Sequence, residues 1–236
     1  MSSSILGAAA RQVWAVVRSV DRVLLVGFAA IALGGLLFAK LWESVREDET
    51  LTRIDAQVTR WVVTHRGAAI EDLARAVTKL GNPAVVVVLV LVVATLLARS
   101  HHRGPATLLV LSTVGTAALT SVIKLVEARP RPPIEIHLVV AHGYSFPSGH
   151  AAQAIACYGA LAVVALDLVH HAVGRIAAAL ALLALAFGIG ASRVVLGVHW
   201  LSDVVAGWAI ASAWLAFLAT AARLRVLRER RIASPA

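Results

Sequence analysis

Long apolar runs separated by short polar stretches dominate this chain of 236 residues. Six of the runs approach the ~20 residues that a helix needs to cross a bilayer. Lipid offers no hydrogen-bond partners to the backbone, so apolar runs of this length cross it as helices. The pattern therefore predicts an all-α, polytopic membrane protein with six transmembrane helices, at about 23–41, 83–99, 105–125, 149–168, 176–196 and 200–222.

The segment 42–82, between the first two runs, mixes charged and apolar residues and includes the stretch "REDE" at 46–49. Its pattern predicts short amphipathic helices that rest at the membrane interface. The chain shows neither an internal repeat nor a second soluble domain. We therefore divide it into an N-terminal segment (1–22), one membrane domain (23–222) and a basic tail (223–236).

The composition agrees with a membrane protein, because 59% of the residues are hydrophobic and only 15% are charged. Soluble globular chains carry about 25% charged residues. The single cysteine, Cys157, excludes an intramolecular disulfide. A cleaved signal peptide is the alternative for the first apolar run, but the run is long for that purpose and no small-residue cleavage site follows it. We expect an uncleaved anchor.

The arginines in the short connections predict the orientation of the chain. Cytoplasmic loops of membrane proteins carry an excess of Lys and Arg. With six spans, one side receives Arg11, Arg18, Arg22, Arg99, Arg103, Arg175 and the five arginines of the tail. We expect this side, with both termini, to be cytoplasmic, and the connections 42–82, 126–148 and 197–199 to face outward. The net charge of +9 is spread over the membrane flanks, so a nucleic-acid partner is not expected.

Three polar segments meet the outer ends of the predicted spans. They read "KLVEARPRP" at 124–132, "PSGH" at 147–150 and "SRVVLGVHWLSD" at 192–203. Ionisable residues at membrane depth are costly and are usually functional. Because all three segments reach the same side of the membrane, they predict one site.

The residue types in these segments indicate phosphoryl transfer through a histidine. His199 and Asp203 are four residues apart, so on a helix they share a face. A carboxylate bonded to one imidazole nitrogen leaves the other nitrogen free as a nucleophile or base. Ser148, Gly149 and His150 begin a predicted helix, whose unpaired N–H groups attract an anion. Three cations, Lys124, Arg131 and Arg193, add the charge that phosphate oxygens require.

The spacing of these residues resembles the signature of the type 2 phosphatidic acid phosphatase (PAP2) superfamily, KxxxxxxRP, PSGH and SRxxxxxHxxxD. Lys124 with Arg131-Pro132, then Pro147 to His150, then Ser192-Arg193 with His199 and Asp203, match it in order. The superfamily includes lipid phosphate phosphatases, undecaprenyl-diphosphate phosphatases, glucose-6-phosphatase and vanadium haloperoxidases. The signature core covers residues 124–203.

The resemblance implies an enzyme and a role for each matched residue. It implies that His199 attacks phosphorus to form a phosphohistidine, that Asp203 holds its ring, and that His150 protonates the leaving oxygen. It implies that the phosphoryl oxygens are bound by Lys124, Arg131, Ser148, Gly149 and Arg193. It implies neither a metal nor a cofactor.

Several alternatives stay open at this point. The same histidines and aspartate could bind a metal, although three nearby cations would repel one. A non-catalytic protein that binds or transports a lipid phosphate could share the fold, and haloperoxidase relatives share the anion pocket but are soluble. Arg129 is predicted to contact a lipid headgroup, Glu127 or the substrate, and His137 and His142 lie in the outward loop near the site.

The expected substrate is a membrane lipid phosphate. Among the candidates, the outward-facing site favours a polyprenyl diphosphate such as undecaprenyl diphosphate, and phosphatidylglycerophosphate and phosphatidic acid are the alternatives. The oligomeric state cannot be predicted from these patterns.

Overall fold

A computed structural model describes residues 22–47 and 49–233 of the protein. All the regular structure in these two ranges is helical, which confirms the predicted all-α fold. The N-terminal segment 1–21 and the last three residues, on which the orientation of the termini partly depends, lie outside the described residues. The long helices are α1 (Arg22–Glu47), α2 (Glu49–His65), α3 (Ala68–Leu80), α4 (Pro83–Arg99), α5 (Arg103–Glu127), α6 (Gly149–Leu168), α7 (Ala172–Val195) and α8 (Leu201–Ala233).

Five of these helices, α1, α5, α6, α7 and α8, are each long and apolar enough to cross a membrane. The sixth candidate is the pair α3 and α4, which is bent by 47° at the break between Leu80 and Pro83. The side chain of Asn82 caps α4 by accepting the N–H of Ala84, and Pro83 occupies a first-turn position that needs no N–H. The structure thus gives five spans, or six when the bent pair counts as one. The predicted second span, 83–99, corresponds to α4, which qualifies as a span only together with α3, a segment that was predicted to rest at the interface.

The boundaries of two spans differ from the predicted ones. The first and last predicted spans ended at about residues 41 and 222, whereas α1 continues to Glu47 and α8 to Ala233. The prediction stopped where charged side chains begin. Glu, Lys and Arg are good helix formers, and long side chains reach the interface, so the helices continue past the apolar core of the bilayer.

The segment 42–82 contains the predicted amphipathic helices, α2 and α3. Their packing goes further than the expectation that they rest at the interface. Asp55 and Thr59 of α2, and Ala74 and Thr78 of α3, are buried against the rest of the molecule. These helices therefore belong to the wall of the bundle.

One end of the bundle gathers the three polar segments. At this end α5 and α7 finish and α6 and α8 begin, whereas Arg99, Arg103 and Arg175 lie at the opposite helix ends. A side chain at Gly207 of α8 would come within 2.7 Å of the Ser148 carbonyl oxygen, so glycine is required where α8 crosses the start of α6. The two helices consequently hold their first turns in contact.

An apolar cluster packs beneath the polar residues of this end, toward the middle of the bundle. Phe146 is fully buried and stacks on Phe38 of α1, with ring centroids 6.0 Å apart, and the cluster is completed by Ile123, Ala206 and Ala209. Close packing of this kind fixes the backbone before and after the polar segments.

Candidate active site

His199 and Asp203 form a buried pair at the start of α8. Nδ1 of His199 lies 3.3 Å from Oδ2 of Asp203, and the same oxygen accepts the backbone N–H of Trp200 over 2.9 Å. His199 itself precedes the first residue of the helix, Leu201. The pair therefore forms because Asp203 reaches back to the helix start, as the acidic residue of a capping box does, and not because both residues share a helical face as the spacing suggested.

The environment of His199 favours a neutral imidazole. Burial lowers its pKa to about 4, although the hydrogen bond with Asp203 and the charge of that residue act in the opposite direction. When Nδ1 donates to the carboxylate, Nε2 carries the lone pair. At neutral pH the ring is therefore an uncharged imidazole with a fixed tautomer.

Arg131 contacts the other ring nitrogen of this histidine. Its Nη1 lies 3.1 Å from Nε2 of His199 and donates to the carbonyl of Val198 over 2.7 Å. Its remaining nitrogens donate to the carbonyls of His142, Gly143 and Tyr144. Burial lowers the pKa of Arg131 from its ordinary value. The guanidinium is thus held by main-chain oxygens and not by a carboxylate.

Lys124 and Arg193 complete the set of cations. Nζ of Lys124 donates to the carbonyl of Tyr144 over 2.7 Å, and Nη1 of Arg193 donates to Oγ1 of Thr78 over 2.8 Å. Within residues 22–47 and 49–233, no carboxylate lies within ion-pair distance of Lys124, Arg131 or Arg193. Three positive charges without a carboxylate partner make this end of the bundle a candidate anion site.

Two buried polar atoms at this end of the bundle, one of them in a cation, lack a hydrogen-bond partner. In the described part of the chain, neither Oγ of Ser148 nor Nε of Arg193 has a hydrogen-bond partner. An unpaired buried polar group costs about 1–3 kcal/mol. Such groups are expected where a ligand supplies the missing partner.

His150 occupies the first turn of α6, beside the bend between α3 and α4. A side chain on Gly81 would come within 3.2 Å of Cδ2 of His150, so the bend lies directly against the ring. The imidazole makes no hydrogen bond to any described residue. It is partly exposed to an adjoining cavity, where both of its nitrogens remain available.

The cavity is a cleft of about 410 Å³ between α4 and α5. Its walls are apolar, and its upper end is formed by Lys124, Gly149 and His150. Val87 and Leu91 of α4 and Val114 of α5 are more than half exposed, so the cleft opens sideways toward the surface that lipid would cover. The apolar wall is formed by Val86, Val87, Val90, Leu91, Val110, Val114 and Ala117.

The structure thus brings together all eight residues of the predicted site, and it adds others that the sequence reading missed. Arg129 was expected to contact Glu127, a headgroup or the substrate, but it contacts Asp55, Ser202 and Asp203 instead. Glu127 accepts from Trp42 and faces Arg46. Asp55 gave a signal that could have been used, because it shares the apolar face of α2 with Val58 and Val62.

The loop before α6 is held by residues of the segment 42–82. Arg66 donates to the carbonyls of Ile136 and Val195, and Arg75 donates to that of Leu138. His137 bonds through Nε2 to the carbonyl of Pro132, within its own loop. These contacts fix the loop that carries Arg131.

These features define a multi-pass membrane protein with a histidine–aspartate pair and an anion site at one end of its helix bundle. Residues 105–226 match the model of the PAP2 superfamily, and the chain belongs to that superfamily. Comparison with curated proteins gives no significant match by sequence.

Two solved structures share the fold. One is a transmembrane PAP2-type phosphatidylglycerolphosphate phosphatase from Bacillus subtilis, with a TM-score of 0.76 and 23% identity over 83% of this chain and 96% of that one. The other is LpxE from Aquifex aeolicus, with a TM-score of 0.55 and 23% identity over 70% of this chain and 93% of that one. The protein thus has the fold of membrane PAP2 lipid phosphatases.

Proposed function

We propose that the protein is a phosphatase that removes a phosphoryl group from a membrane lipid through a phosphohistidine at His199. The observation that carries this proposal is the buried His199–Asp203 pair, whose Nε2 lies 3.1 Å from a guanidinium of the anion site. A fixed tautomer, a neutral ring and an adjacent cationic pocket are the requirements of a histidine nucleophile for phosphorus.

In the first step, Nε2 of His199 attacks phosphorus and the bond between phosphorus and the lipid oxygen breaks. His150 gives its proton to the departing oxygen. The imidazole becomes positively charged, and Asp203 stabilises that charge through Nδ1. In the second step, His150 takes a proton from water, the resulting oxygen attacks phosphorus, and the N–P bond breaks to release phosphate.

The anion site binds the phosphoryl oxygens in both steps. Lys124, Arg131 and Arg193 supply charge, and the hydroxyl of Ser148 and the backbone N–H of Gly149 supply further donors at the start of α6. The unpaired Oγ of Ser148 and Nε of Arg193 support this assignment, because a bound phosphoryl group would give both a partner. As the substrate arrives, the N–H of Arg131 that faces Nε2 of His199 would instead donate its hydrogen bond to a phosphoryl oxygen.

We propose that the reaction needs no metal ion. The three cations carry the charge that a divalent ion would otherwise neutralise, and they would repel such an ion. Among the described residues, no three His, Cys, Asp or Glu side chains are arranged to hold a metal.

The cleft between α4 and α5 supports a substrate with one long hydrocarbon chain. Its volume is about 410 Å³. A methylene group is close in size to a water molecule, which occupies about 30 Å³ in the liquid, so the cleft holds roughly 14 such groups. That matches about three isoprene units of a polyprenyl diphosphate, whose remaining chain would lie in the bilayer. Phosphatidylglycerophosphate and phosphatidic acid, which each bring two chains to the site, are the alternatives.

We further propose that residues 23–222 form one membrane domain in the cell membrane, with the site outward and both termini cytoplasmic. The orientation rests on Arg99, Arg103 and Arg175, which lie at the helix ends opposite the site. An outward site would meet carrier lipid diphosphates at the leaflet where envelope synthesis releases them.

Phosphate release by the purified protein across a panel of undecaprenyl diphosphate, phosphatidylglycerophosphate and phosphatidic acid tests the proposal. We expect the first to be the best substrate and His199→Ala to lose at least roughly a thousandfold in rate together with the acid-labile phosphoenzyme. His170→Ala, which changes an exposed histidine away from the site, is the matched control. No turnover of any lipid, or full activity of His199→Ala, would contradict the proposal.

A further inference from the structure

We propose that Asp55 and Arg129 are positioning residues that hold the Asp203 carboxylate in the orientation in which it serves His199. Neither residue occupies a position of the three-part signature. This inference rests on the proposed function, because it assigns these residues a part in the phosphoryl transfer at His199.

Arg129 fixes one oxygen of Asp203 and leaves the other to the nucleophile. Nη1 of Arg129 donates to Oδ1 of Asp203 over 2.5 Å, while Oδ2 faces Nδ1 of His199 and accepts the N–H of Trp200. A carboxylate with donors on both oxygens cannot rotate about its last bond without breaking one of them. Arg129 therefore determines which oxygen His199 meets.

Asp55 fixes Arg129 in turn. Its Oδ2 accepts Nη2 of Arg129 over 2.8 Å. The same carboxylate accepts the backbone N–H of Ser202 over 3.0 Å and the hydroxyl of Ser202 over 2.5 Å. Nη1 of Arg129 also donates to that hydroxyl, over 2.8 Å, which closes a ring of hydrogen bonds around the first turn of α8.

The ring joins segments that are distant in sequence. Asp55 comes from α2, Arg129 from the residues after α5, and Asp203 from α8. Trp200 lies over the guanidinium carbon of Arg129, with the ring centroid 5.7 Å away. The position of the nucleophile's carboxylate thus depends on a helix that contributes no signature residue.

The charges of Asp55, Arg129 and Asp203, which are joined by these hydrogen bonds, also suit the reaction. Asp55, Arg129 and Asp203 sum to one negative charge, which matches the single positive charge that His199 gains on phosphorylation. Without Arg129, the two buried carboxylates of Asp55 and Asp203 would lose the cation that joins them and would repel each other. Without Asp55, the charge of Arg129 would oppose the developing imidazolium.

Arg129 does not belong to the substrate-binding cations. Its side chain is 10% exposed, and both of its terminal nitrogens are bonded to carboxylates. Lys124, Arg131 and Arg193 have no such partner among the described residues. The four cations therefore divide into three that face a phosphoryl group and one that lies behind the nucleophile.

Steady-state kinetics of Asp55→Asn, Arg129→Gln and the double variant test the inference, with the best lipid of the panel as substrate. We expect kcat to fall about tenfold in Asp55→Asn and about a hundredfold in Arg129→Gln, with KM within about twofold of the parent. The double variant should recover to about tenfold below the parent, because it lacks the uncompensated carboxylate. A role in folding alone would lower the yield of active protein without this recovery in kcat.

Glu127→Gln is the matched control, since it removes a carboxylate that is paired with Trp42 and Arg46 at the same end of α5, and it should leave kcat unchanged. Independent, multiplying losses in the double variant, or a rise in KM as the main effect, would overturn the inference. If the single variants do not fold, the double variant decides: parental kcat overturns the inference, and a lowered kcat with parental KM supports it. A parent that releases no phosphate from any lipid would instead contradict the proposed function.

Discussion

The backbone N–H of Ser148 donates a hydrogen bond of 2.9 Å to the backbone carbonyl of Asp203. It joins the start of α6, where the anion site lies, to the start of α8, which carries the partner of His199. Because the bond is between main-chain atoms, side-chain substitutions leave it in place. Substitutions of side chains in this site should therefore change the rate of the reaction more than they change the local backbone structure.

Ser148→Ala should separate activity from stability. The hydroxyl of Ser148 is buried and has no partner among the described residues, so its removal should leave the thermal midpoint unchanged or raise it. Turnover should fall about tenfold, because the phosphoryl group loses a donor. Thermal unfolding in detergent and phosphate release measure the two effects.

Ser112→Ala is the matched control for this prediction. Its buried hydroxyl donates to the carbonyl of Ala156 over 2.9 Å, away from the site. We expect a loss of about 1 kcal/mol in stability with normal turnover per folded molecule. Equal stability losses in the two serine variants would show that Ser148 has an ordinary structural role.

Filling the cleft should affect long substrates only. Ala117→Trp places a large side chain among the apolar residues that line the cleft. We expect kcat/KM for a C15 or C20 isoprenoid diphosphate to fall at least about tenfold, while a short water-soluble phosphate ester is hydrolysed as by the parent. In the parent, kcat/KM should rise from C10 to C15 and change little beyond that, because the cleft is then filled.

Leu36→Trp, on an exposed face of α1, is the control for the filled cleft. It should not change the dependence on chain length. Equal loss on short and long substrates in Ala117→Trp would place the hydrocarbon chain elsewhere.

Chelation should not affect turnover, whereas vanadate should block it. Vanadate adopts the trigonal bipyramidal geometry of phosphoryl transfer and would bind to the three cations and His199. We expect full activity after incubation with EDTA and competitive inhibition by vanadate, measured as phosphate release. Loss of activity in EDTA that a divalent ion restores would favour a metal-dependent reaction.

The buried imidazole of His199 should make folding stability depend on pH. Its pKa is about 4 in the folded protein, against an ordinary value of 6.5. Between these values the unfolded chain binds more protons, so stability falls as the pH falls from 6.5 toward 4. Each unit of difference corresponds to about 1.4 kcal/mol. His199→Gln lacks this dependence, so its thermal midpoint should change less than that of the parent between about pH 7.5 and pH 5. Equal changes in the two proteins would mean that His199 titrates normally.

Labelling of single cysteines should determine the orientation. Cys157 is fully buried and can stay in place. A membrane-impermeant maleimide applied to intact cells, with any outer membrane permeabilised, should label Ile134→Cys and spare Ser100→Cys, since these exposed positions lie at opposite ends of the bundle. The reverse pattern would place the site in the cytoplasm and remove the main reason for preferring a polyprenyl diphosphate.

The sequence allowed the signature residues to be predicted because each has a fixed spacing and an unusual chemistry for an apolar chain. The direction of the spans alone assigns the charged and histidine residues of the signature to one end of the bundle. They are Lys124, Arg131, His150, Arg193 and His199. The polarity of the helices is enough for that, since successive spans alternate in direction.

The partners of these residues could not be predicted in the same way. Asp55 reaches Ser202, and Thr78 reaches Arg193, only because α2 and α3 pack against the bundle. An amphipathic pattern describes which face is apolar, but it does not say whether that face meets lipid or protein. Arg129 was misassigned for the same reason, because its nearest carboxylate in sequence, Glu127, is not its partner in space.

In the proposed mechanism, the contact between Arg131 and Nε2 of His199 would keep the resting site unreactive. The lone pair required for attack on phosphorus is engaged by a guanidinium N–H, so a neutral electrophile that enters the pocket meets a blocked nitrogen. A phosphoryl oxygen is a stronger acceptor than an imidazole, and as it draws the N–H away it also uncovers the lone pair. The charge of the substrate would then act as the trigger of its own cleavage, and selection for anions would operate on reactivity as well as on binding.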